Sequence, residues 1–174
     1  MNADIAWFRG TVAFGAAGLA LLLPLWKLWP APQFRLGRRA VVLGASLFWP
    51  AFAFVLVQWA WTGYYQLFYP AWMKWGVALA ALVIYPLLAA GAHWIAMRLP
   101  GHALLWFCLV TGGLAMGEHV AAWTLVDLPG RVAFLHNTPL WVVMLFAFFE
   151  YQVYWAGALW LGWLLLKLAA LRAR

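Results

Sequence analysis

The chain has 174 residues, 68% of them hydrophobic types and only 9% charged, where soluble domains average roughly 45–50% and about 25%. A soluble domain of this length has too little interior to hide so much apolar surface. That excludes a cytosolic globular enzyme, a disulfide scaffold and a disordered tail. The net charge of +7, from eleven Lys and Arg against four Asp and Glu, sits at the ends of apolar runs. A nucleic-acid surface would need it clustered on a polar face, so the charge reads as topology.

Five apolar runs are each long enough to cross a hydrocarbon core, which takes about 20 helical residues. The first covers about 5–26. Asp4 stands where a signal peptide would carry positive charge, so this run reads as a span. A polar, proline-marked connection follows, with Lys27, Pro30, Pro32, Gln33, Arg35, Arg38 and Arg39. The second span covers about 40–61, and the Tyr- and Phe-rich stretch from Thr62 to Pro70 reads as an interfacial loop. The third covers about 72–97, carries Pro86 inside it, and ends at Arg98, Pro100 and Gly101. The fourth covers about 103–126. Asp127, Pro129, Gly130, Arg131, His136 and Asn137 then form a turn with a short amphipathic stretch. Pro139 opens the fifth span, to about 166, as proline favours a first helical turn. Lys167 to Arg174 reads as a short basic tail.

The expected fold is therefore an all-α integral membrane protein: a single domain of residues 1–174, built as a bundle of five transmembrane helices. Helices are required because unpaired backbone groups in lipid are costly, and the runs lack the alternation of barrel strands. One side collects eight cations (Lys27, Arg35, Arg38, Arg39, Arg98, Lys167, Arg172 and Arg174) and the other three (Arg9, Lys74 and Arg131). The positive-inside rule then puts the N-terminus out and the C-terminus in, across a cell inner membrane.

Most of the fifteen tryptophans fall at headgroup depth, where amphipathic rings form belts. Trp7, Trp59, Trp61, Trp72, Trp75, Trp123 and Trp141 mark the outer boundary, and Trp26, Trp29, Trp94, Trp106 and Trp163 the inner. Trp49 and Trp155 lie nearer mid-membrane, where they pack between helices or flank a flat ligand; packing is the preferred reading. Gly113, Gly117 and Ala121 form a small-xxx-small face on the fourth span, as Gly76 and Ala80 do on the third. Such faces pack within the chain or against a membrane-protein partner. Cys108, the only cysteine, reads as core or lipid-facing.

Two carboxylates lie inside predicted spans. Glu118 is eight residues before position 126, ~12 Å below the outer boundary, and Glu150 is eleven after Pro139, about 16 Å below it. Their helices are consecutive and antiparallel, so the two carboxyls meet at nearly equal depth. An intramembrane ionisable residue marks a functional site by default, because lipid exposure costs at least a few kcal/mol. His119, Tyr151, Gln152 and Tyr154 are their polar neighbours, and Glu150 and Tyr154 share a helix face at i and i+4. Asp127, His136 and Asn137 stand ready to close over the group from the outer loop.

Glu118, His119 and Glu150, with Tyr151 and Tyr154, are thus the candidate site for an ion, a proton or an amphiphilic small molecule. A metal set would draw on Glu118, His119, Glu150, Asp127 and His136. The bland alternative has two neutral carboxyls satisfied by neighbours, fixing helix register only. His102 at a loop edge disfavours a bis-histidine haem with His93, and no motif names a cofactor, a catalytic residue or a family. Three function classes remain: the buried site; a non-catalytic subunit of a larger redox or photosynthetic membrane complex; and a membrane enzyme acting on a lipid or isoprenoid, with Glu118 and Glu150 as acid and base.

Overall fold

The computed structural model describes the backbone of residues 3–28, 37–60, 72–125 and 139–173, and the side chains within those segments except at 3–7, 56–60, 72–74, 77, 119 and 121–125. Five helices and no strand occur among the described residues: α1 (Ala3–Leu28), α2 (Gly37–Ala60), α3 (Trp72–Ala96), α4 (Ala103–Leu125) and α5 (Leu140–Arg172). Four of them are long and apolar enough to cross a membrane, over Phe8–Leu28, Gly37–Val55, Ala78–Ala96 and Leu140–Arg172, while the apolar stretch of α4, Ala103–Glu118, is shorter.

Helix bounds follow the apolar runs closely, with one correction. The stretch from Lys167 to Arg172, read from the sequence as a tail, continues α5 to 33 residues. Its Lys, Leu, Ala and Arg residues are strong helix formers with no breaker among them. Prolines 24, 50 and 86 all lie inside helices. Each removes a backbone donor and leaves the carbonyl four residues earlier without its intrahelical partner. The predicted loops at 62–70 and 127–137 lie outside the described residues.

α5 is the axis of the arrangement. It packs against α1, α2 and α4, while α3 closes the far side by packing on α2 and α4. Helices α2, α3, α4 and α5 therefore form a ring, with α1 on the opposite flank of α5. The burial pattern is inverted relative to a soluble bundle. Large aliphatics such as Leu19, Val55, Leu79, Val83 and Leu87 are exposed, whereas the interior is rich in alanine and holds Thr111, Gln152 and His93. Contiguous outward apolar surface on every helix would drive aggregation in water.

The tightest crossing joins α2 and α5 through small residues. Gly44 faces the backbone at Ala158, and Gly162 faces it at Ala40; a β-carbon at either glycine would overlap the opposing carbonyl. Ala40 and Gly44, like Ala158 and Gly162, are spaced at i and i+4, so each helix offers one smooth face to the other. The face read from the sequence behaves differently: Gly113 and Gly117 on α4 and Gly76 on α3 have nothing within 4 Å of a β-carbon position. Within α4 it is Gly112 that makes the close approach, against the Phe148 ring and Gln152. The side chain of Ala121 lies outside the described residues.

The α3–α4 connection is built by local bonds. Gly101 adopts a φ of 96°, in the region that favours glycine. The Trp106 indole donates to the Pro100 carbonyl at 2.7 Å, and Arg98 donates to the Trp94 carbonyl at 3.3 Å while lying over that ring. His102 caps α4 by accepting from the Leu104 amide at 3.3 Å, and its ring stacks on Trp26 at 3.6 Å.

Gly44→Ala and Gly162→Ala are each expected to destabilise the bundle by about 1–3 kcal/mol through overpacking. Gly113→Ala and Gly117→Ala, in open space, should be neutral or stabilising by up to about 1 kcal/mol, the helix-propensity gain. SDS-induced unfolding from mixed micelles measures both pairs, and the reverse order would contradict the crossing.

Candidate functional site

The four ring helices line a half-open cavity of about 520 Å³, within the range of small-molecule sites, with Glu118 exposed at its edge. Its walls come from all four ring helices. Trp49 and Phe52 come from α2, Ile84 and Tyr85 from α3, Thr111 and Glu118 from α4, and Tyr151 and Trp155 from α5. The space exists because the helices that touch through small residues at Gly44 and Gly162 carry large aromatic rings further along.

Those rings form one connected cluster. Trp49 stacks on Tyr85 at 4.0 Å and meets Trp155 edge-on at 5.1 Å and Tyr151 at 5.5 Å. Phe107 supports Trp155 from behind at 5.5 Å. Trp49 and Trp155 are both buried, so they pack between helices and also wall the cavity. The Trp49 indole N–H is buried and has no acceptor among the described residues. An unmet buried donor of this kind costs about 1–3 kcal/mol, which an oxygen on an occupant would recover.

Glu118 is the one carboxylate among the lining residues. It accepts a hydrogen bond from the Tyr151 hydroxyl, Oη to Oε2, at 2.9 Å. The Tyr85 and Tyr151 hydroxyls are themselves hydrogen-bonded. Tyr151 thereby links Tyr85 to the Glu118 carboxylate. The second oxygen of Glu118 has no partner among the described residues. That leaves it acceptor capacity for a ligand.

Glu150 occupies a neighbouring but separate position. Its Oε1 accepts from the Tyr154 hydroxyl one turn later at 2.5 Å. Tyr154 packs on Phe52 at 4.4 Å and on Phe14 at 6.4 Å, so this pair belongs to the side of α5 that meets α1 and α2. Glu150 and Tyr151 are consecutive on α5 and point 100° apart, so the two carboxylates each take a different tyrosine.

Among the described residues no three of His, Cys, Asp and Glu come together as a metal-sized group. Asp127 and His136, and the side chain of His119, lie outside the described residues. Gln152, singled out only as a polar neighbour, is buried and donates Nε2–H to the Cys108 carbonyl at 3.0 Å, joining α5 to α4. Sequence reasoning missed Tyr85. Its signal was depth, since it lies thirteen residues past Trp72, ~20 Å along the helix, far from any aromatic belt. In comparisons with protein families, curated proteins and solved structures, nothing matches this chain.

The geometry predicts pairwise energetics. A double-mutant cycle of Glu118→Gln with Tyr151→Phe should give a coupling of about 0.5–2 kcal/mol, the range for bonded pairs. The cycle of Glu150→Gln with Tyr151→Phe should be additive within about 0.5 kcal/mol. Unfolding free energies in mixed micelles decide it, and coupling in the second cycle alone would contradict the assignment.

Proposed function

We propose that this protein is a multi-pass inner-membrane protein that binds a positively charged amphiphilic small molecule in the cavity of the α2–α5 ring, with Glu118 as the counter-charge. All five helices cross the bilayer in this reading, with the N-terminus outside and the C-terminus inside. The observation that carries it is the composition of the cavity wall: one carboxylate on the rim of a box of Trp49, Tyr85, Tyr151 and Trp155. Aromatic faces attract a cation electrostatically, by about 0.5–2 kcal/mol and more when it is desolvated. The carboxylate adds an opposite charge, and the apolar remainder of the wall receives the hydrocarbon part. The Tyr151 hydroxyl holds Glu118 in place, ready for reversible binding of the occupant, which suits transport or sensing.

A non-catalytic subunit role is the second reading. It rests on Gly113 and Gly117, which are exposed and open where a partner helix would approach closely. A lipid-modifying enzyme with Glu118 and Glu150 as acid and base draws less support. Glu150 turns to Tyr154 and is not among the residues that line the cavity.

Equilibrium dialysis of tetraphenylphosphonium against the purified chain tests the proposal. The expected result is saturable binding that Glu118→Gln weakens by about tenfold or more, as for loss of the counter-charge to a partly desolvated cation, and that Glu150→Gln changes by less than about threefold. Non-saturable uptake, or equal effects of the two substitutions, would overturn it.

A further inference from the structure

The cavity of the α2–α5 ring sits in the middle of the bundle and not at either end. Every described residue on its wall lies at least seven residues from both ends of its helix, which is ~10 Å of helix or more. We infer that the cavity loads sideways from the hydrocarbon layer, through a slot between α3 and α4, and that its occupant is therefore a lipid-dissolved cation and not a hydrated one. The inference rests on the Glu118 reading for the charge of the occupant, whereas the route follows from the shape of the wall.

Exposure marks where the wall is interrupted. On α2 and α5 every described lining residue is buried or half-buried, Trp49 and Trp155 at 2%. The exposed members of the wall are all on α3 and α4: Ala80 and Ile84 on one, Leu114 and Glu118 on the other. Each pair is spaced at i and i+4, so each helix contributes one edge about a turn long. Ile84 is 50% exposed and Leu114 46%. They lie twelve residues into α3 and eleven into α4, ~16–18 Å along each helix. In a core of ~30 Å that is mid-hydrocarbon depth. The packing explains the opening. α2 and α5 meet backbone to backbone at Gly44 and Gly162, whereas Gly113 and Gly117, beside the slot on α4, have nothing within 4 Å of a β-carbon position.

What passes such a slot is set by the cost of charge in lipid. A compact ion must shed its water to enter the hydrocarbon, which is prohibitive. A cation whose charge is spread over, or shielded by, apolar groups already dissolves there. Glu118 stands on the edge of the slot, so such an ion meets an opposite charge as it enters, and the rings of Trp49, Tyr85 and Trp155 receive its apolar groups. A groove of about 470 Å³ between α1 and α4 also faces sideways, past Leu19, Leu23, Leu105 and Leu109, but its wall is apolar and holds no charge to retain a cation.

The test uses the full-length chain in nanodiscs and two photoactivatable phenyl diazirines, one apolar and membrane-dissolved, the other made hydrophilic by a glucose group. Tyr151 is the reporter, because it lines the cavity, is half-buried and offers an O–H bond for carbene insertion. The apolar reagent is expected to label Tyr151, and the glucose conjugate to leave it unlabelled. Ala80→Phe combined with Leu114→Trp narrows the slot from both edges and should remove the label. Leu87→Phe, on the exposed surface of α3 and off the wall, should retain it. Equal labelling by the two reagents, an unlabelled Tyr151 in the native chain, or label that survives the double substitution would each overturn the route. If the double variant does not fold, the two reagents on the native chain still decide. Neither reagent is charged, so labelling of Tyr151 does not depend on Glu118. Failed binding of tetraphenylphosphonium with labelling intact overturns the Glu118 reading and upholds the route.

Discussion

The close approach of α2 and α5 is the constraint on which the other features depend. At Ala40 and Gly44 against Ala158 and Gly162 the two backbones meet with no side chain between them. Dispersion is summed over many small contacts, and in lipid it replaces the hydrophobic drive that holds soluble helices together. Large side chains must then be accommodated away from the crossing. Along α2 and α5 they appear within two turns, as Phe48, Trp49 and Phe52 on one helix and Tyr151, Tyr154 and Trp155 on the other. Small residues at one end and rings at the other hold the pair together at the glycines and leave room at the tryptophans.

α3 and α4 complete the enclosure, and the polar groups of the interior fall where α5 meets its neighbours. Positions 151, 152 and 154 within one turn of α5 serve different neighbours. Tyr151 turns to Glu118 on α4, Gln152 to the Cys108 carbonyl of α4 beside the α1 groove, and Tyr154 to Glu150 and the aromatic residues of α1 and α2. A helix buried on several sides can distribute polar side chains this way because each 100° step faces a different partner. The result is two pockets on different sides of one helix: the ring cavity, with Glu118 and Tyr151 on its wall, and the groove between α1 and α4, whose wall is apolar.

Much of this was legible in the sequence, and the boundary is physical. Hydropathy and proline positions located the five helices to within a few residues, except at 167–172, where charge was taken for a tail although Lys167 and Arg172 sit comfortably at a helix end. Rise per residue gives each carboxylate a depth along its own helix, but not the offset between the helices, which packing sets. Rotation about each helix axis could not be read, since packing decides it. For that reason the facing of the two carboxylates, and which small-residue stripe makes contact, lay beyond the sequence. Gly113 and Gly117 have the same spacing as Ala40 and Gly44. Only the latter pair meets a neighbour, because only α2 turns its small face toward another small face on α5. Tyr85 went unnoticed for a similar reason: a tyrosine at mid-span is informative only once Trp49 and Tyr151 are found beside it.

The central claim is that the α2–α5 cavity holds a small molecule through Glu118. Native mass spectrometry of the chain, released gently from its own membrane without overexpression, tests it most directly. The account predicts one chain plus a small, constant mass excess that disappears in Glu118→Gln and persists in Glu150→Gln. A bare chain, an excess indifferent to Glu118, or only a large assembly of fixed stoichiometry with no small-molecule component would contradict it.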